Sequence, residues 1–144
     1  MIASWNGCLL KVTARRLAGV TPLAPSAAQR LADLVEITWP RFVLLEGCVI
    51  RDRPGADDAF REWRELHREQ PWRIEQVMNH IHLYDLVDDD FDQSELPILE
   101  SAAHRIADAW HTALAAQFPE RTFVITTSSE PDDYGPTITC HQVP

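Results

Sequence analysis

The sequence predicts an α+β domain in which a small antiparallel sheet of about three to four strands packs against one long helix in the C-terminal half, with shorter helices around it. Three observations carry that prediction. Leu99, Ala102, Ala103, Ile106, Trp110, Ala113 and Leu114 recur at the spacing that stacks side chains on one face of a helix. Residues 122–127 and 137–143 are rich in β-branched side chains and flank a Pro-, Asp- and Gly-bearing loop, the composition of a hairpin. Helices and strands do not alternate regularly, which argues against a wound parallel sheet.

Taken in order, residues 1–24 hold Lys11, Arg15 and Arg16 and no acid; the first acidic residue is Asp33. This reads as a leader, mobile or adding a strand at residues 8–13, ahead of a single domain at residues 25–144. Ser26 and Gln29 form a capping box, and Ala28, Leu31, Leu34 and Val35 give a helical stripe to Ile37. Trp39-Pro40 ends that helix. Residues 41–50 are almost continuously apolar and rich in Val, Ile and Phe, so one central strand is expected, with Gly47 as a bulge or close approach. After a loop at residues 51–55, Asp57 or Asp58 caps a helix through Gln70, with Phe60, Trp63 and His67 on one side and Arg61 paired to Glu65.

Pro71 starts a further helix carrying Ile74, Val77 and Met78, giving way to extended or irregular chain up to Val87. The long helix spans residues 94–117. Ser94 is its expected N-cap, Glu95 and Glu100 suit its positive end, and Pro97 lies in the first turn, where no N–H bond is lost. Phe118-Pro119 stops it and turns the chain into the first strand of the hairpin.

Composition bounds the function. A chain of 144 residues, 45% hydrophobic with five Trp, can bury one core, as a monomer or simple homo-oligomer. No apolar run approaches the roughly 20 residues of a membrane span and no signal-peptide hydrophobic region is visible, so a soluble, cytoplasmic protein is expected. Cys8, Cys48 and Cys140 are too few and too scattered for a disulfide framework or a zinc pattern, and read as reduced thiols. Arginine-rich, lysine-poor usage suggests a bacterial source.

Charge is unevenly placed. Residues 1–84 carry 11 basic and 10 acidic side chains, whereas residues 85–144 carry Arg105 and Arg121 against 12 acids, a net of −10. Asp88, Asp89, Asp90 and Asp92 precede the long helix, and Glu130, Asp132 and Asp133 lie in the hairpin loop. Such runs keep a surface solvated, and they also suit a basic partner. Direct binding to nucleic acid is disfavoured, because phosphate neutralisation needs a basic stripe.

The best constellation for chemistry is His80-x-His82-x-x-Asp85. On a strand the two imidazoles share a side, and with a carboxylate they would supply three ligands to a catalytic ion. His104, Asp108 and His111 share the water-facing side of the long helix, where ligands without supporting partners bind weakly. A calcium loop at residues 88–99 fails, with Gln93 in place of the turn glycine and Leu99 in place of the bidentate glutamate. No nucleotide loop or nucleophile elbow is present.

The sequence therefore predicts a small acidic, non-enzymatic interaction protein with no cofactor and no resident metal, binding a basic protein in the manner of an inhibitor, an immunity protein or a nucleic-acid mimic. Its expected partner-binding residues are Asp88, Asp89, Asp90, Asp92, Glu130, Asp132 and Asp133. The alternative is a small metal-dependent hydrolase using His80, His82 and Asp85.

Overall fold

The computed structural model describes residues 25–68, 70–87, 91–130 and 134–143. The expectations for residues 1–24, for Asp88, Asp89 and Asp90, and for Asp132 and Asp133 lie outside the described residues. Over the rest the chain is α+β, as predicted. Four helices, α1 (Ala27–Thr38), α2 (Ala56–Leu66), α3 (Pro71–Met78) and α4 (Leu96–Gln117), accompany five strands, β1 (Phe42–Leu45), β2 (Cys48–Arg51), β3 (Ile81–His82), β4 (Phe123–Ser128) and β5 (Thr137–Gln142).

Residues 41–50 do not form one strand of the main sheet. They fold back on themselves as β1 and β2, in register from Phe42 opposite Arg51 to Leu45 opposite Cys48. Glu46 and Gly47 make the two-residue turn with φ of 46° and 89°, a pair of left-handed residues that matches strand twist. Gly47 is thus a turn residue, and no bulge is needed. The second sheet is three-stranded and antiparallel, ordered β3-β5-β4. The expected single sheet is therefore two.

The continuous apolar character of residues 42–50 follows from burial of both hairpin faces. Phe42 and Val49 face a core with Leu83, Ala103, Trp110, Leu114, Ile138 and Cys140. Cys48 and Ile50, supported by Val43 and Leu45, face a second core with Phe60, Ile74 and Met78. A hairpin wedged between two cores needs apolar residues at odd and even positions alike.

Trp110 is fully buried and central, as the stripe predicted. Its ring meets Phe42 edge-on at 6.0 Å, lies 5.2 Å from the Arg51 guanidinium, and donates its indole N–H to the Ile37 carbonyl at 2.8 Å. One α4 side chain thereby ties α1 and the hairpin to the helix. Gln117, the last residue of α4, accepts the Phe42 N–H at 2.9 Å and donates to the Pro40 carbonyl at 3.1 Å.

Several local expectations are corrected. Ser26 caps α1 as predicted, accepting the Gln29 N–H at 3.1 Å, but Leu31, Leu34 and Val35 remain 64, 57 and 54% exposed, so the α1 stripe is not a core face among the described residues. Helix α2 stops at Leu66, four residues short of Gln70, and its N-cap is Gly55, with Asp57 and Asp58 in the first turn. Arg61 pairs with Asp58 at 3.0 Å in place of Glu65. Ser94 does not cap α4. It sits in a 3-10 turn (Gln93–Glu95), and Asp92 accepts its backbone N–H at 2.9 Å, which holds the Asp92 carboxyl below the usual carboxylate range. Asp92 wins because the extra 3-10 turn moves the first free N–H groups upstream of the α-helix.

Candidate functional site: a histidine corner at the end of the sheet

Helix α3 ends at Met78, and the chain turns through Asn79 into β3, which pairs with β5 at Ile81 opposite Ile138 and His82 opposite Thr137. That short ladder fixes where the two histidines go. His80 Nε2 and His82 Nε2 face each other at 3.1 Å, with the rings at 76° to one another. His80 Nδ1 lies 2.6 Å from Thr139 Oγ1 on β5, and His82 Nδ1 lies 2.9 Å from the Tyr134 carbonyl. A carbonyl only accepts, so His82 donates from Nδ1, and its neutral form presents a lone pair at Nε2.

Aromatic rings continue from this corner. Tyr134 packs against His82 at 5.8 Å and against Tyr84 at 5.4 Å, and Tyr84 meets Phe91 at 5.2 Å and donates its hydroxyl to Gln93 Oε1 at 3.2 Å. Gly135 makes the Tyr84 placement possible. Its φ is 71°, and a Cβ there would stand 2.5 Å from the Tyr84 ring.

Of the residues proposed as metal ligands, only the histidine pair is brought together. Asp85 is exposed on a 3-10 turn (Leu83–Leu86), and no group of three His, Cys, Asp or Glu able to hold a metal exists among the described residues. His104, Asp108 and His111 are exposed on α4, as expected; His104 Nδ1 reaches Thr127 Oγ1 at 3.2 Å. Asp92 and Glu130, the described members of the acidic set, are both exposed and on the surface.

Sequence reasoning missed four residues that shape this region. Thr139 and Tyr134 hold the imidazoles, and nothing local marks them. Glu75 and Asn79 are almost completely buried beside the corner. Their signal was present: a polar pair one helical turn apart, next to Ile74 and Met78 in an otherwise apolar stripe. Both thiols of the described chain are free and buried. Burial, reinforced by the nearby Glu75 charge, pushes Cys48 up to about 11 and Cys140 up to about 12.

A separate open cleft of about 350 Å³ lies between the β1-β2 hairpin and the start of α2, lined by Val43, Leu45, Asp52, Arg53, Asp57 and Arg61. It shares no residue with the histidine corner or the acidic set. No described helix is long and apolar enough to cross a membrane.

Fold and site together define an α+β domain with a polar, ring-lined corner and an acidic C-terminal half. No protein-family model matches the chain, and no curated protein and no solved structure matches it.

Proposed function

We propose that the chain is a non-enzymatic interaction domain whose acidic C-terminal half engages a basic protein partner. The observation that carries this reading is uncompensated charge. All three ion pairs among the described residues, Arg41–Asp52, Arg61–Asp58 and Arg64–Glu46, use acids from the N-terminal half. Arg121, one of two cations in residues 85–144, donates to the Gly47 carbonyl and to Gln142 Oε1. Residues 85–144 hold twelve acids, and the seven that are described, Asp85, Asp92, Glu95, Glu100, Asp108, Glu120 and Glu130, take part in none of these ion pairs. Like charges at this density oppose the compact state, and a basic partner relieves that repulsion while being steered toward it. An inhibitor, an immunity protein and a mimic of nucleic-acid charge all use such a surface. The hydrolase alternative has no third ligand among the described residues.

The test is kinetic. A partner is recovered by pull-down from the native host, and association is measured at low and high salt for the wild type, for a variant with Asp88, Asp89 and Asp90 changed to Asn, and for one with Asp132 and Asp133 changed to Asn. Steering predicts a wild-type rate that falls about tenfold or more as salt rises, and a slower rate for at least one variant at low salt. Wild-type rates in both variants, flat in salt, would reduce the acids to solubilising surface.

A further inference from the structure

We propose that His80 and His82 form a preorganised two-imidazole chelate for an exchangeable divalent transition-metal ion of the Cu²⁺ or Zn²⁺ type. The proposal is independent of the partner-binding reading and rests on the histidine corner alone. At metal–nitrogen distances of about 2.05 Å, two nitrogens 3.1 Å apart subtend an angle of about 98° at the ion, between the octahedral and tetrahedral values. The nitrogen spacing therefore already suits the ion, and small ring rotations are enough to aim both lone pairs at it.

Each ring is also held from behind, as metal-binding imidazoles are. The Tyr134 carbonyl takes the His82 Nδ1 proton, and the Thr139 hydroxyl faces His80 Nδ1. Those two supports come from the loop before β5 and from β5 itself, so the bite is set by the β3-β5 register and not by side-chain rotamers alone. His80 is exposed and His82 half-buried, which leaves the ion a path from solvent.

The protons balance without net release. Without metal, a hydrogen must lie between the facing nitrogens, and since His82 Nε2 is an acceptor it is borne by His80 Nε2, with the Thr139 hydroxyl donating to His80 Nδ1. When the ion enters, that hydrogen moves by way of water to His80 Nδ1. There it is donated to Thr139 Oγ1, whose own hydrogen rotates away, and two Nε2 lone pairs converge on the metal. No third His, Cys, Asp or Glu completes a set among the described residues, so the two imidazoles are the ligands assigned to the ion, and water can complete its coordination. Held by two imidazoles, the ion is exchangeable. Imidazole ligation orders the ions with Cu²⁺ above Zn²⁺, and excludes Mg²⁺ and Ca²⁺, which take oxygen.

The full chain, stripped with chelator, is titrated calorimetrically with CuCl₂, ZnCl₂ and MgCl₂, and the Cu²⁺ complex is read by electron paramagnetic resonance for nitrogen coupling. One ion per chain is expected, with two coupled nitrogens, tighter binding of Cu²⁺ than Zn²⁺, and no Mg²⁺ binding. His80→Gln and His82→Gln should each weaken binding about tenfold or more, Thr139→Val by a smaller factor, and His104→Gln with His111→Gln not at all. Circular dichroism checks each fold; should His82→Gln disturb it, the exposed His80→Gln carries the test. Absence of binding at millimolar ion, binding that survives both substitutions, or binding that follows His104 and His111 would each overturn the proposal.

Discussion

Asn79 follows Glu75 by one helical turn, and the two side chains take alternate N–H groups of the same strand: Glu75 Oε1 accepts from Val49 at 2.7 Å and Asn79 Oδ1 from Arg51 at 2.8 Å. In the register of the β1-β2 hairpin these two N–H groups point away from β1. Opposite them, β5 beyond Ile138 has outrun its short partner β3 and presents the Cys140 carbonyl and the Gln142 N–H. Glu75 accepts that N–H at 2.6 Å and the Gln142 side-chain amide at 2.5 Å, while Asn79 donates to the Val49 carbonyl at 2.8 Å and the Cys140 carbonyl at 3.4 Å. Two open sheet edges are joined through a helix's side chains where a further strand would otherwise stand.

Removing this junction should be costly. Glu75→Ala leaves buried donors on both edges unsatisfied and is expected to cost about 3–5 kcal/mol, and Asn79→Ala about 2–3 kcal/mol. Urea denaturation measures both. Losses under about 1 kcal/mol would mean that water replaces the side chains and that the edges do not depend on them.

Trp110→Ala should cost about 3–5 kcal/mol, because a fully buried indole leaves a cavity among Phe42, Ala103, Leu114 and Ile138. Trp110→Phe keeps most of the packing but loses the bond to the Ile37 carbonyl, so about 1–2 kcal/mol is expected. Equilibrium unfolding of both variants separates packing from the hydrogen bond, and equal losses would contradict that division.

Stability should fall in alkali through the two buried thiols. Their folded values, about 11 for Cys48 and about 12 for Cys140, lie above the ordinary 9.0, so the contribution is full below pH 9 and is lost as pH rises through that range. Denaturation midpoints at pH 8 and pH 10.5 should differ more in the wild type than in a Cys48→Ala, Cys140→Ala variant. In a Cys8→Ser background at pH 8, a thiol reagent should react with unfolded protein and barely with folded protein; rapid labelling of the native chain would show the thiols to be accessible.

The sequence by itself determined the α4 stripe around Trp110, the Ser26 cap, the strand character of residues 123–128 and 137–142, and the concentration of acid beyond residue 84. All of these are local: spacing, capping, β-branching and charge are properties of neighbouring residues. Residues 42–50 were legible as buried and extended but not as a hairpin, because a run apolar at every position carries no alternation to reveal a fold-back, and Glu46 adopts a left-handed conformation unusual for its type. The Glu75–Asn79 junction and the His80–His82 corner were decided only by tertiary structure. In each case the partners, Val49, Arg51 and Gln142 for the first and Thr139 and Tyr134 for the second, lie far along the chain. Their approach is set by how far β3 runs beside β5 and where β2 is left unpaired, and strand length and register are settled by packing between segments rather than by the residues of either one.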